Sequence, residues 1–178
     1  TQRVMRLMAP MMVGVGVMQL NVLVDRLLAG WLGGEAISSL YYSQRLAYLP
    51  VGLFGVALGV DSLPLLSRAW SGGRVDEMNR HLRTALQQVF FLSVPVAVAF
   101  WVVRDPLIRL LFQRGAFGDS AVGSTLWAFL FYLPGIPAFA CAKVATTPFH
   151  ARQDTRTPVR IAAFCLALNI VLNLAFMP

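Results

Sequence analysis

Charged residues are scarce in this sequence, and so are the residue types on which most catalytic and metal sites depend. Only 13% of its 178 residues are charged, whereas a soluble domain carries about 25%. The chain has two histidines and two cysteines, and neither pair shows a metal-ligand spacing. It contains no P-loop and no GxGxxG motif. Because no catalytic constellation is visible, we predict that the protein is not an enzyme.

Long apolar runs dominate what is present, since 57% of the residues are hydrophobic. Five runs are long enough to cross a hydrocarbon layer of about 30 Å, and they cover residues 7–32, 36–68, 84–103, 121–147 and 158–177. A shorter apolar segment follows Asp105 and Pro106, which are typical of an N-cap and a first helical residue. Thr157 and Pro158 have the same pattern at the start of the last run. These features predict an all-α, multi-pass membrane helix bundle with about five transmembrane helices plus one short interfacial helix.

The arginines indicate how the chain is oriented in the membrane. The net charge is +7, from fourteen arginines and one lysine against eight acidic residues. In a soluble protein this excess would suggest a nucleic-acid partner, but here the arginines lie between apolar runs, as topology signals do. Five crossings place nine arginines on one side and three on the other. The positive-inside rule therefore predicts a cytoplasmic N-terminus, and we expect no nucleic-acid partner.

Prolines and glycines predict where the spans bend and where they touch. Pro50 lies inside the second run, and Pro134 and Pro137 lie inside the fourth. Each proline removes a backbone hydrogen bond and favours a kink. Gly55 and Gly59 form a small-xxx-small pair, which allows another helix to approach closely. Kinked helices occur in transporters and in static bundles alike, so they assign no function on their own.

One arginine, Arg45, lies well inside an apolar run. A helix rises about 1.5 Å per residue, so Arg45 is roughly 13 to 14 Å from the start of the run at Ala36, near the middle of the hydrocarbon layer. A charge at this depth is costly unless it faces a water-filled cavity, pairs with a counter-ion or binds an anionic ligand. Two hypotheses follow. Arg45 pairs with an internal acid such as Asp25, or it is an anion-binding residue that faces a cavity.

Oxygen-bearing side chains inside the first and fifth runs form a second candidate site. Asn21 and Asp25 share one helix face, four residues apart, and so do Asn169 and Asn173. Hard cations such as Na⁺ are held by carboxylate and carbonyl oxygens. We predict a Na⁺ site formed by Asp25, Asn169 and Asn173. The alternative is that the asparagines only hydrogen-bond across helices.

Several motifs in a fixed order resemble the MurJ (MviN) family of lipid II flippases. They are QLNVLVD at 19–25, LYYSQRL at 40–46, LPVGLFGVALG at 49–59, LFQRGAF at 111–117 and ARQDTRTPV at 151–159. The last motif is the most specific, and the resemblance covers essentially the whole chain. The family belongs to the multidrug/oligosaccharidyl-lipid/polysaccharide exporter superfamily, whose members have two lobes of helices. The resemblance implies that residues 1–178 are the first five helices of the second lobe of a larger transporter.

The resemblance also implies a function. Family members move lipid II, the lipid-linked peptidoglycan precursor, from the inner to the outer leaflet of the bacterial inner membrane by alternating access. Arg45 matches a cavity arginine that meets the pyrophosphate. Asp25, Asn169 and Asn173 match a sodium site of some members, in which an aspartate stands at the last position, and Arg26 falls where an uncharged residue is usual. The implied partners are lipid II, the bilayer and the rest of the transporter chain, with Na⁺ as the one candidate cofactor.

Two other interpretations remain open at this point. A drug or polysaccharide exporter of the same superfamily would have the same architecture. A drug exporter that moves organic cations would be expected to place acidic residues, rather than Arg45, at the midplane of its cavity. A non-transporting membrane scaffold would instead have Arg45 fully paired and would enclose no cavity.

Overall fold

The computed structural model describes residues 12, 16, 19–28, 30, 34–115 and 117–176, and these residues confirm the all-α prediction. Within them, no residue lies in a β-strand. Residues 19–28 form helix α1. The helices that follow are α2 (Gly34–Pro50), a π-helical segment (Val51–Val56), α3 (Ala57–Ser71), α4 (Val75–Phe112), α5 (Asp119–Tyr132), α6 (Gly135–Ala145), α7 (Thr147–Ala151) and α8 (Arg156–Phe176).

The described helices include four candidate membrane spans. Three are long and apolar enough on their own, namely Gly34–Ser71, Val75–Phe112 and Arg156–Ala175. The fourth is a pair, Asp119–Tyr132 with Gly135–Ala151, bent by 50° at a short break. The bend falls at Leu133 and Pro134, where the paired prolines predict it. These spans match the second to fifth apolar runs and confirm a multi-pass membrane bundle, whereas most of the first run lies outside the described residues.

The predicted interfacial helix after Arg104 is wrong, because α4 runs without a break to Phe112. Pro106 lies inside this helix, where the fixed φ of proline is compatible with helical geometry and only one backbone hydrogen bond is lost. An ion pair of 3.1 Å joins the Asp105 carboxylate to the Arg109 guanidinium across the proline. Pairs four residues apart stabilise a helix, so Asp105 supports the continuation of α4 rather than capping a new helix.

α2 packs against α5 through a small polar contact inside the hydrophobic core. The hydroxyl of Ser43 donates a hydrogen bond to the backbone carbonyl of Thr125 at 2.9 Å, and both residues are fully buried. Leu46, Val122 and Phe129 belong to the buried cluster at this contact. Because serine is short, the two helix backbones come close while the buried hydroxyl stays paired. The opposite face of α2 is consequently turned away from α5.

The π-helical segment contacts α6 at Gly55, as the small-xxx-small pair predicts. A methyl group added at Gly55 would lie 3.0 Å from the Cα atom of Ala140 and 3.1 Å from its carbonyl oxygen. At Gly59, the nearest atom to such a methyl group would be the Thr147 hydroxyl, at 3.5 Å. The approach is therefore tighter at Gly55 than at Gly59, and a methyl group at Gly55 would require the backbone of α6 to shift.

Gly55→Ala is expected to lower the thermal stability of the full-length protein, because the new methyl group meets backbone atoms that cannot move aside. Overpacking of this kind costs about 1 to 3 kcal/mol, more than the gain of up to about 1 kcal/mol in helix propensity. Gly52→Ala is the matched control, since nothing lies within 4 Å of a methyl group there. Thermal unfolding in detergent compares the two variants, and equal midpoints would contradict the close contact at Gly55.

A cap formed by Asp154 starts α8, so the predicted N-cap and first helical residue, Thr157 and Pro158, are misplaced. The Asp154 carboxylate accepts hydrogen bonds from the backbone N–H groups of Arg156 and Thr157, both at 3.1 Å, and from the Thr157 hydroxyl at 2.5 Å. The bond from the Thr157 hydroxyl is the main reason that the pKa of Asp154 lies below its ordinary value. Ionised Asp154 therefore stabilises the fold at pH values above its pKa in the unfolded chain. This stabilisation is lost as the pH falls through its pKa in the folded protein.

Candidate functional site

Helix α2 has two different faces, and the candidate residues lie on the face turned away from the core. Tyr41, Arg45 and Tyr48 share this face at helical spacing, and all three are exposed. The buried residues of the helix are Ser39, Ser43, Leu46, Ala47 and Pro50. Tyr48 also stacks on Phe139 of α6, with ring centroids 5.8 Å apart. The exposed stripe of α2 is therefore an aromatic surface with one positive charge in its middle.

Arg45 is oriented by Tyr41, one turn earlier on the same helix. The Nη1 atom of Arg45 donates a hydrogen bond to the hydroxyl oxygen of Tyr41 at 2.7 Å. Its guanidinium carbon lies 5.8 Å from the centroid of the Tyr41 ring. Arg45 forms no ion pair with Asp25 or with any other residue that the structure describes. A neutral phenol thus fixes the direction of the guanidinium without cancelling its charge.

A second arginine reaches the same tyrosine from α1. The guanidinium carbon of Arg26 lies 5.9 Å from the Tyr41 ring centroid. A cavity of about 240 Å³ lies between α1 and α2, and it is lined by Arg26, Ile37, Ser38, Tyr41 and Tyr42. Like Arg45, Arg26 has no ion pair within the described part of the chain. Two positive charges that meet at one tyrosine without an ion pair repel each other, so the arrangement favours a negatively charged ligand.

The three residues of the predicted cation site lie together, at a contact between α1 and α8. The Nδ2 atom of Asn173 donates hydrogen bonds to the Asp25 Oδ1 atom at 3.2 Å and to the Asn169 Oδ1 atom at 3.0 Å. The amide nitrogen of Asn173 thus contacts both oxygens. Turning this amide by 180° would exchange the nitrogen for its oxygen and direct three oxygens to one point. Oxygen ligands of this kind are those that hard cations prefer.

Asn21 adds a further polar group on the same face of α1. Its Oδ1 atom is buried and has no hydrogen-bond partner among the residues described. An unpaired buried acceptor costs about 1 to 3 kcal/mol. In the described ranges no three His, Cys, Asp or Glu side chains cluster. The donor set at this contact is therefore one carboxylate with amide oxygens, which suits an alkali or alkaline-earth cation better than Zn²⁺.

Sequence reasoning identified Arg45 but missed the two residues beside it, Arg26 and Tyr41. The signals were present, because Arg26 is a charge within the first apolar run and Tyr41 lies one turn before Arg45 on the same face. No local sequence pattern encodes the angle at which α1 packs on α2. That angle directs Arg26 to Tyr41 while its neighbour Asp25 points to α8.

Comparison with known proteins identifies the family of this chain. The sequence profile of a family described as "Lipid II flippase MurJ" matches residues 1–178, which is the whole chain. The chain belongs to the MurJ family. This finding confirms the resemblance carried by the five motifs, since the match extends over both candidate sites.

Curated MurJ relatives are similar over nearly the whole chain but are much longer. A probable lipid II flippase MurJ of Vibrio cholerae serotype O1 is 37% identical over 174 residues, which cover 98% of this chain and 33% of the relative. A probable lipid II flippase MurJ of Rhizobium tropici is 36% identical over 180 residues, which cover 99% of this chain and 33% of the relative. The lipid II flippase MurJ of Burkholderia cenocepacia is 34% identical over 177 residues, or 99% and 34%. The chain therefore spans about one third of the length of the curated relatives it matches.

A solved structure shares the fold of this MurJ-family chain. It is a MOP superfamily transporter from Pyrococcus furiosus, with a TM-score of 0.79 and 21% sequence identity. The similarity covers 97% of this chain and 37% of that transporter. At this identity the comparison establishes the fold alone.

Proposed function

We propose that this chain is part of a membrane flippase that moves lipid II between leaflets by alternating access. The observation that carries the proposal is the environment of Arg45. This permanently charged side chain lies inside a membrane span, is exposed, and is oriented by a neutral tyrosine. It has no ion pair with any described residue. Membership of a flippase family supports a transporter rather than an enzyme.

The chemistry of Arg45 suits the anionic head group of a lipid-linked precursor. Its planar fork of N–H donors matches two phosphate oxygens at once, and it stays charged where water is scarce. The hydrogen bond to Tyr41 reduces the freedom that the guanidinium loses on binding, which favours affinity. In this proposal Arg45 holds the pyrophosphate of lipid II.

The two other interpretations fit these observations less well. An exporter of organic cations would need a carboxylate at the cavity, but the residues that line it include an arginine and no acidic residue. A static scaffold would neutralise Arg45 with an acid and fill the space beside α2. Arg45 instead has no ion pair with any described residue, and a cavity of about 240 Å³ is open beside Tyr41. The flippase accounts for both features.

The length of the relatives supports a place for this chain in a larger transporter. The chain spans about one third of each relative. From the resemblance of its motifs, we assign residues 1–178 to the first five helices of the second lobe. The partners in this proposal are the remainder of the transporter chain, the surrounding bilayer and lipid II. The location is the bacterial inner membrane.

A Na⁺ site is the second part of the proposal. Asp25, Asn169 and Asn173 would hold the ion, with rotation of the Asn173 amide supplying its oxygen. The contact joins α1 to α8, so binding of a cation there would stabilise the packing of these two helices. Such a site can couple an ion gradient to the movement of helices in alternating access.

The N-terminus of the chain is assigned to the cytoplasm, because the predicted topology of five crossings puts nine arginines on that side and three on the other. Single cysteines at the positions of Arg74, Arg156 and Arg114, in full-length protein lacking Cys141 and Cys165, test the orientation. An impermeant maleimide applied to intact cells is expected to label position 114 only. Labelling at position 74 or 156 but not at position 114 would show that the assigned orientation is wrong.

Complementation tests the function as a whole. The full-length gene is expressed in cells from which the native lipid II flippase can be depleted. The proposal predicts survival and normal cell shape after depletion. Lysis of cells that contain the protein in the membrane at normal abundance would contradict lipid II transport.

A further inference from the structure

We propose that Arg26 is a second anion-binding residue, and that Arg26 and Arg45 together bind the two phosphates of a diphosphate group beside Tyr41. The inference rests on the proposed function and deepens it, because it adds a second residue to the site that holds the pyrophosphate. It assigns that role to a residue of α1 that the family resemblance leaves without one.

The two guanidinium groups lie close enough together for one diphosphate to contact both. Their central carbons lie 5.9 Å and 5.8 Å from the centroid of the same Tyr41 ring. They are therefore separated by no more than about 12 Å. Two phosphates that share a bridging oxygen, with charge-assisted hydrogen bonds of about 2.8 Å on each side, can bridge a separation within this limit. In the proposed arrangement each arginine holds one of the two phosphates.

No described acid neutralises either arginine. Asp25, the immediate neighbour of Arg26, accepts a hydrogen bond from Asn173 on α8. Glu35, at the start of α2, accepts one from the Ser120 hydroxyl at 3.0 Å. Two positive charges this close repel each other where the surroundings are apolar, and an anion of two or more charges between them relieves the repulsion.

The cavity fits a small anionic group, and Arg45, which does not line it, reaches its edge through the hydrogen bond to Tyr41. Its volume of about 240 Å³ is below the range of about 300 to 1,000 Å³ typical of sites for drug-sized ligands. Tyr41 lies at its edge, and because its oxygen already accepts a hydrogen bond from Arg45, its own proton can be donated to a phosphate oxygen. The cavity therefore suits the diphosphate, while the sugar and lipid parts of the cargo lie outside it.

Binding assays on the full-length transporter in lipid nanodiscs test the inference. The probes are a polyprenyl diphosphate, the corresponding monophosphate and inorganic pyrophosphate. Arg26→Gln is expected to weaken binding of the polyprenyl diphosphate about tenfold or more, the size of a lost charge-assisted contact. Binding of the monophosphate is expected to stay nearly unchanged. Arg26→Lys keeps the charge without the fork, so it is expected to give an intermediate affinity.

Arg104→Gln is the matched control. Arg104 also lies against an aromatic ring of its own helix, 5.7 Å from the centroid of Trp101. Its ring partner is thus not Tyr41, on which Arg26 and Arg45 meet, and it does not line the cavity. This variant is expected to bind all three probes like the wild type. Thermal unfolding of each variant confirms that a loss of binding is not a loss of folded protein.

The outcomes separate the inference from the function on which it rests. Wild-type affinity for polyprenyl diphosphate in Arg26→Gln overturns the role of Arg26 and leaves the Arg45 site intact. A wild type that binds neither lipid overturns the proposed function, and this inference with it. Competition by inorganic pyrophosphate supports recognition of the diphosphate itself. Binding of pyrophosphate without binding of the polyprenyl diphosphate would assign the site to a soluble anion and overturn the lipid-linked source.

Discussion

Replacing Arg45 by alanine in the full-length protein is expected to abolish the rescue of cells depleted of their own lipid II flippase. The substitution removes the charge and the fork of donors that Tyr41 orients. Loss of a charge-assisted contact of this kind weakens binding by about 1.5 to 3 kcal/mol. Arg45→Lys keeps the charge but loses the bidentate geometry, so partial rescue is expected.

Growth after depletion measures this effect, with membrane abundance checked by immunoblot. Arg104→Ala is the matched control, because Arg104 is also an arginine of a membrane span that stacks on an aromatic ring of its own helix. It is expected to support normal growth. Normal growth of the Arg45→Ala strain at wild-type abundance would remove Arg45 from the mechanism.

Removal of sodium is expected to lower the thermal stability of the purified full-length protein, and Asp25→Asn is expected to abolish this dependence. A ligand that binds only the folded state stabilises it, by about 1.4 kcal/mol at ten times its dissociation constant. The substitution keeps an oxygen that can accept the hydrogen bond from Asn173 but removes the negative charge that attracts the cation.

Unfolding midpoints in sodium and in choline chloride of equal ionic strength measure this dependence. Asp61→Asn is the matched control, since Asp61 is an exposed acid within the second apolar run and is not part of the α1–α8 contact. It is expected to keep the full response to sodium. Equal unfolding midpoints of the wild type in the two salts would contradict Na⁺ binding. The asparagines would then only form hydrogen bonds between helices.

Local patterns predicted much of the fold. Pro134 removes a backbone bond, and the fourth span bends beside it. Gly55 lacks a side chain, and α6 comes closest to the backbone there. Local patterns failed where one residue type is compatible with two different structures. Pro106 fits the first turn of a helix and also the interior of one, and the ion pair between Asp105 and Arg109 favours the interior.

The candidate sites were likewise predicted in part from local patterns and missed in part. The depth of Arg45 in an apolar run follows from counting residues, and the shared faces of Asn21 with Asp25 and of Asn169 with Asn173 follow from helical spacing. Their neighbours depend on how helices far apart in sequence pack. Contact between Asp25 and Asn173, and the approach of Arg26 to Tyr41, are set by the position of α1 between α2 and α8. No local pattern determines that position.

Transport of lipid II in proteoliposomes tests the central claim most directly. Full-length protein is reconstituted into vesicles that carry lipid II with a fluorescent label on its head group, and an impermeant reductant then quenches the label in the outer leaflet. With an imposed sodium gradient or membrane potential, wild-type protein is expected to expose the label of the inner leaflet to quenching, whereas Arg45→Ala protein behaves like vesicles without protein. Quenching by the wild type that stops at the level of protein-free vesicles would contradict the account.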